Sequence, residues 1–225
     1  MAWLMPLHGD FVIADALYAW EGHRWALQHG WVTQSLVHML GKRLSMLAWY
    51  GVGIAWLASL CRPQWRHWRR PLLHLLLATA LSTAAVGALK AWTNMDCPWD
   101  LLRYGGSRPF VDLFAARPAL LPAARCFPAG HASAGYAWVA LYFFLSATRP
   151  ALRTWGLAVG IAAGLIFGVA QQLRGAHFLS HDLASLAICW STALLLHHAM
   201  RLSPASNVTP LRPQDGPAAA LEVRA

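Results

Sequence analysis

The chain has 225 residues, is 57% hydrophobic and only 12% charged, and contains 13 tryptophans and a formal net charge of +9. Those proportions exclude an ordinary soluble domain and fit one polytopic membrane unit. The positive charge also excludes little by itself, but the Lys and Arg residues fall in loops between apolar runs and form no basic helix or stripe. Anionic lipid headgroups and phosphate are therefore the expected partners, and nucleic acid is not.

In chain order, MAWLMPL is apolar but stops at His8, Gly9 and Asp10. It is too short to span and lacks the basic start and cleavage pattern of a signal peptide. From Phe11 to Leu40 the sequence mixes Trp, His and scattered charges, which predicts short interfacial helices, with residues 1–43 forming an interfacial or outer segment. Spanning helices are predicted at 44–61, 71–90, 130–147, 153–172 and 180–199, each near the ~20 residues that a bilayer requires. The expected fold is all-α, a polytopic membrane helix bundle of five spanning helices forming a single domain over residues 1–200. Arg62, Arg66, Arg69 and Arg70 lie between the first two spans, and Arg149 and Arg153 between the third and fourth. The positive-inside rule puts both loops in the cytoplasm. The tail at 201–225 then lies inside too, and its Pro, Ala, Asp and Gln content predicts disorder. Alternation places Lys90, the loop from 91 to 128, His131 and His177 outside.

The outer loop contains TNMDCPWDLLRYGGSRPFVDLF, with turn signals, too few apolar residues for another span, and room only for interfacial helices. It carries Cys97, and Cys126 lies near its end. In an oxidising compartment a Cys97–Cys126 disulfide would close a loop of about 30 residues and stabilise by roughly 3–4 kcal/mol; two free thiols are the alternative, because spacing does not fix connectivity. The span at 153–172 carries Gly156, Gly160, Gly164 and Gly168, a four-residue spacing that lets membrane helices approach backbone to backbone.

Two histidine-bearing segments carry the chemistry. In CFPAGHASAG (126–135), Pro128, Ala129 and Gly130 lead His131 into the first turn of a membrane helix, where amides with no helical partner and the positive helix end suit a phosphate. In RGAHFLSHD (174–182), His177 and His181 are one helical turn apart and Arg174 sits just outside the span. With Lys90 closing the helix before them, these segments resemble the three signature motifs of the type 2 phosphatidic acid phosphatase family of membrane lipid phosphatases: Lys, six residues, Arg-Pro; Pro-Ser-Gly-His; and Ser-Arg, five residues, His, three residues, Asp. The resemblance covers roughly residues 85–195. Members usually have six spanning helices, so it also implies that an opening helix is shortened or absent here.

The resemblance implies that His177 attacks phosphorus and becomes a phosphohistidine, that His131 protonates the leaving oxygen, and that Lys90 and Arg174, aided by backbone N–H groups at Gly130 and His131, neutralise the phosphoryl oxygens. No metal or other cofactor is expected. Several positions depart from the pattern. Cys97 stands before Pro98 where the family has Arg, leaving Arg103, Arg108 or Arg125 as replacements, of which Arg108, before Pro109, fits best. Ala129 replaces the motif serine. Gln171 occupies the family's Arg position in the third motif, with Arg174 one turn nearer. His181 takes the place of the Asp that orients the nucleophile; Asp182 is adjacent, and spacing favours His181.

Duller readings stand beside these. His8, His23, His29, His38, His67, His74, His197 and His198 read as interfacial residues, Lys90 alone reads as a snorkelling lysine, and Trp49, Trp92, Trp99, Trp138 and Trp155 as belt anchors. His177, His181 and Asp182 have zinc-ligand spacing, but no glutamate follows His177 as in the helical zinc-protease signature. The expected function is an integral inner-membrane lipid phosphatase acting at the outer, periplasmic face on undecaprenyl diphosphate, phosphatidic acid, phosphatidylglycerol phosphate or a lipid A phosphate. A lipid-to-lipid phosphotransferase and a non-catalytic phospholipid-binding protein are the alternatives.

Overall fold

A computed structural model describes residues 9–202, apart from the side chain of His38. The expectations for residues 1–8 and for the tail from 203 onward lie outside it. Among the described residues the regular structure is helical: α1 (Gly9–Trp20), α2 (Gly41–Cys61), α3 (Arg69–Thr93), α4 (Gly130–Tyr136), α5 (Leu141–Thr148), α6 (Arg153–Leu173) and α7 (Leu179–Met200). Among the described residues four helical stretches are long and apolar enough to cross a bilayer: Trp31–Cys61, Pro63–Asp100, Pro150–Leu173 and Leu179–Met200. The chain is a multi-pass membrane protein. The run expected at 130–147 is occupied by α4 and α5, joined by a 3-10 stretch at Ala137–Ala140.

The N-terminal region departs from expectation. Trp31–Leu40 is not a short interfacial helix but a π-helical stretch continuing directly into α2, giving one helix of 31 residues. Gly41, which reads as a breaker, has helical φ and ψ, and its N–H reaches the carbonyls of Leu36 and Val37, so nothing stops the helix there. In the outer loop, the expected interfacial helices are absent among the described residues; 3-10 turns at Pro98–Asp100 and Leu102–Tyr104 stand in their place.

The glycine stripe seats α4 and α5 on α6. A Cβ on Gly160 would lie 2.6 Å from the Trp138 carbonyl carbon, and one on Gly156 2.9 Å from that of Leu141. Gly135 on the facing helix reciprocates, with only 2.5 Å to the Ala163 carbonyl carbon. Such backbone-to-backbone approach gains dispersion contact where lipid supplies no hydrophobic drive. Ala129, Ala132, Tyr136, Ala137, Val139 and Cys189 form the buried cluster behind this seam. His74 is fully buried rather than interfacial, its Nε2 3.0 Å from the Ala193 carbonyl oxygen, which ties α3 to α7.

Arginines close one end of the bundle. Arg69 donates to the Ser59 and Leu60 carbonyls, and Arg70 to that of Met200, satisfying last-turn acceptors of α2 and α7 while placing cations at negative helix ends. The opposite end is covered by α1 and the outer loop. Arg103 and Tyr104 bond to Asp15, while Arg108 and Arg117 converge on buried Asp96. Cys97 and Cys126 are joined in a disulfide with a Cα–Cα distance of 5.2 Å. Ala14, Leu101, Tyr104 and Phe178 form a small core there, flanked by Phe11, Tyr18 and Trp25.

Candidate active site

The two histidine segments meet through backbone bonds. α4 starts at Gly130, and the residue before it locks onto α7: the Ala129 N–H donates to the His181 carbonyl at 3.1 Å, while Ser185 Oγ donates to the Ala129 carbonyl at 2.9 Å. Phe127–Pro128 is a cis peptide. Thr93, the last residue of α3, donates to the Phe127 carbonyl, and the Cys126 N–H to that of Met95, so the end of α3 is held against the start of α4. Lys90 thereby comes over the second motif: its Nζ lies 3.6 Å from where a Gly130 Cβ would stand.

His177 sits in the loop between α6 and α7 and is buried. The turn that delivers it requires Gly175, whose φ is +68° and whose missing side chain leaves room for the Trp25 ring. The Trp99 N–H donates to the Gly175 carbonyl, fixing the turn from the outer loop. His177 Nδ1 is 3.3 Å from His181 Nδ1. Burial, reinforced by the unfavourable electrostatics that a protonated ring would meet at His181, Lys90 and His131, holds the His177 imidazole well below its ordinary pKa, so the neutral ring prevails. His131 and Lys90 are thus within electrostatic reach of His177.

The remaining expected residues divide. Arg174 is buried, its Nε donating to the Gln28 carbonyl at 2.8 Å and one terminal nitrogen to Gln171 Oε1 at 3.1 Å, and its guanidinium carbon lies 5.9 Å from the Trp99 ring centroid. Burial lowers its pKa. Asp182, expected as an alternative orienter, is turned away: its carboxylate accepts from Gln172 Nε2 and packs on Gly168 of α6. His181 is the side chain that reaches His177. Arg108, expected to replace the first-motif arginine, is instead 2.7 Å from Asp96 Oδ1 and 3.9 Å from Asp100 Oδ2, bound into the outer loop by opposite charge. Arg125 is exposed and makes no hydrogen bond or ion pair among the described residues. The Cys97 position holds a disulfide, whose Cys126 sulfur lies 3.5 Å from His177 Nδ1.

Cys126, His177 and His181 offer ligand-type atoms within 4.8 Å of one another. A disulfide sulfur has no thiolate to give, so only two imidazoles remain, fewer than a zinc site uses.

Two further features were not anticipated. Asp10 of α1 accepts hydrogen bonds from the backbone N–H and the hydroxyl of Ser180, capping the first turn of α7 from a distant part of the chain. Burial raises its pKa. A lone acid in an apolar run was its only sequence signal. Second, a cavity of about 590 Å³ runs between α2, α3 and α4, from Gly130 and His131 past Thr83 and Thr79 to Trp49 and Tyr50. Its walls are mostly apolar.

A helical multi-pass membrane protein with two histidine segments gathered at one end of the bundle is the class that these features define. The chain matches the PAP2 superfamily over residues 71–204, more than half its length, and belongs to that superfamily. Its fold is similar to the crystal structure of the first transmembrane PAP2 type phosphatidylglycerolphosphate phosphatase from Bacillus subtilis, with a TM-score of 0.51 and 14% identity over 93% of this chain and 100% of that one. At that identity the likeness is one of fold. No curated protein matches the chain by sequence.

Proposed function

We propose that this protein is an integral membrane lipid phosphatase that hydrolyses a lipid phosphate or diphosphate at the outer face of the membrane through a phosphohistidine. The observation that carries the reading is the buried pair of His177 and His181 at 3.3 Å, with Lys90 over Gly130 and His131 lining an apolar cavity. An apolar tail fits such a cavity, and the headgroup then falls at the helix ends.

For His177 to attack, one ring nitrogen must keep its lone pair while the other is protonated. A His177 Nδ1–H donating to His181 Nδ1 leaves Nε2 as the nucleophile. Nε2 forms the N–P bond as the bond from phosphorus to the lipid oxygen breaks, and His131 gives that oxygen its proton. Water then attacks phosphorus, His131 takes the water's proton, and the N–P bond breaks to release phosphate. Lys90 and Arg174 neutralise the phosphoryl oxygens, with the first-turn amides of α4 at Gly130 and His131 assisting. The α4–α5 run counts as the fifth span. The arginine-rich end faces the cytoplasm of an inner membrane, which puts the site on the periplasmic side.

The test is a panel of purified lipid phosphates, comprising phosphatidic acid, phosphatidylglycerol phosphate, undecaprenyl diphosphate and a lipid A phosphate, assayed for released phosphate with and without orthovanadate. Vanadate-sensitive release that His177→Ala abolishes supports the reading. Unchanged release in that variant rejects it.

A further inference from the structure

Two positions where the superfamily-type motifs carry arginine are filled here by Cys97, in a disulfide, and Gln171, which is buried against Arg174. Three outer-loop arginines do not make good the loss, since Arg103 is spent on Asp15 and Arg108 and Arg117 on Asp96; the fourth, Arg125, is exposed and makes no ion pair among the described residues. A phosphate monoester approaching dianionic charge in a water-poor site needs cations around it.

We propose that Lys42, just past the point where the Trp31–Leu40 stretch continues into α2, binds the substrate phosphoryl group opposite Lys90. The argument is one of register. α2 and the α4–α5 run both lead from the site end of the bundle to the arginine-rich end, so they are parallel. They are pinned together by Ser45, whose Oγ donates to the Ala134 carbonyl at 2.8 Å and accepts from the Trp138 indole N–H at 2.8 Å. Three residues back toward the site along each helix, about 4.5 Å, lie Lys42 on α2 and His131 on α4. The two side chains accordingly line the same large cavity, and they meet again in a small crevice with Gln171 and Phe167. Gly41 fixes the backbone on the other side, because a Cβ there would lie 2.5 Å from Phe167 Cε1 on α6. Among the described residues no acidic side chain pairs with Lys42. Lys90 arrives over Gly130, the residue before His131, from α3.

The inference rests on the phosphatase reading, and the two can fail separately. The full chain in neutral detergent is assayed on dihexanoyl phosphatidic acid, with orthovanadate as inhibitor and as ligand in thermal melts, for the parent, Lys42→Gln, Lys42→Arg and His177→Ala. Loss of one charge-assisted contact predicts that Lys42→Gln raises KM and weakens vanadate inhibition by about tenfold or more, with a smaller change in kcat, and that Lys42→Arg recovers most of both. Lys42→Gln should also shrink the rise in melting temperature that vanadate produces, a readout that needs no turnover. If Lys42 serves only bilayer headgroups, Lys42→Gln will match the parent in neutral detergent on every measure, and the inference is overturned. If no lipid releases phosphate while vanadate still raises the melting temperature of the parent more than that of Lys42→Gln, the phosphatase reading fails and the anion site stands.

Discussion

His177 and His181 face each other through their Nδ1 atoms at 3.3 Å, a distance at which one ring must donate and the other accept. Only the arrangement with the proton on His177 Nδ1 frees Nε2 for phosphorus. In the proposed mechanism His181 is then the orienter, standing where the related motif has a carboxylate. His181→Ala is expected to lower kcat by about 10²-fold or more with little change in KM, as removal of an orienting partner does elsewhere. His181→Asp should recover a large part of the loss. Asp182→Asn, whose carboxylate lies against Gln172, should alter kcat far less. Steady-state kinetics on one lipid phosphate distinguish the three, and a kcat loss in Asp182→Asn equal to that of His181→Ala would move the orienting role to Asp182.

The pH dependence of stability follows from the same ring. Its pKa in the folded chain is lowered, so the unfolded chain binds a proton near the ordinary histidine value of 6.5 that the folded chain refuses. Unfolding is then favoured as pH falls: the contribution is fully stabilising above about 6.5 and is lost progressively below it, at up to about 1.4 kcal/mol per pH unit. His177→Gln should show a shallower fall in melting temperature between pH 7 and pH 5 than the parent. Identical slopes would mean that the ring is accessible and titrates normally.

The disulfide is expected to contribute to both fold and site. It closes a segment with a sequence separation of 29 residues, which in the chain-entropy account amounts to roughly 3–4 kcal/mol. Its Cys126 sulfur also packs on His177. Cys97→Ser combined with Cys126→Ser should lower the denaturation midpoint accordingly and reduce kcat, and a reductant should do the same to the parent but not to the double variant.

Much of the bundle was legible because it rests on one-dimensional signals. The apolar runs, their basic separators and the spacing of Gly156, Gly160, Gly164 and Gly168 needed no tertiary knowledge. The stretches around Lys90, His131 and His177 stand out as local patterns, and the structure brings them to one end of the bundle. It was illegible where the outcome depended on competition between partners. Arg108-Pro109 looks like a displaced motif arginine, yet Asp96 holds that guanidinium, and nothing local announces the pairing. The same holds for Lys42: its position beside His131 comes from Ser45 meeting Ala134 and Trp138 across 89 and 93 residues of chain. Trp31–Leu40 reads as interfacial because Trp31, His38 and the charges before the segment, Glu21 and Arg24, suggest an interface, while the helix simply continues through Gly41.

Close helix approach makes the stripe intolerant of size. A Cβ at Gly160 would meet the Trp138 carbonyl carbon at 2.6 Å, and backbone cannot move aside as a side-chain tip can. Gly160→Val should therefore destabilise by about 1–3 kcal/mol or more. Gly51, with nothing within 4 Å of the same position, should accept Ala at little cost. Thermal melts in one detergent compare the two, and equal melting temperatures would remove the seam as the basis of α4–α6 packing.

Asp10 offers the last test, because it links a helix outside the motifs to the segment that carries His177. Its carboxylate caps the first turn of α7 at Ser180, three residues after His177, and buries itself in doing so. Asp10→Ala leaves the Ser180 N–H buried without that acceptor and should cost about 1–3 kcal/mol, with a fall in kcat as His177 loses its fixed position. Asp10→Asn keeps an acceptor oxygen while removing a charge that burial disfavours, so it should melt close to the parent and gain relative stability as pH rises, since the raised carboxyl pKa makes the parent's cap less favourable on ionisation. A parent-like melt and a parent-like kcat in Asp10→Ala would show that α7 holds His177 without help from α1.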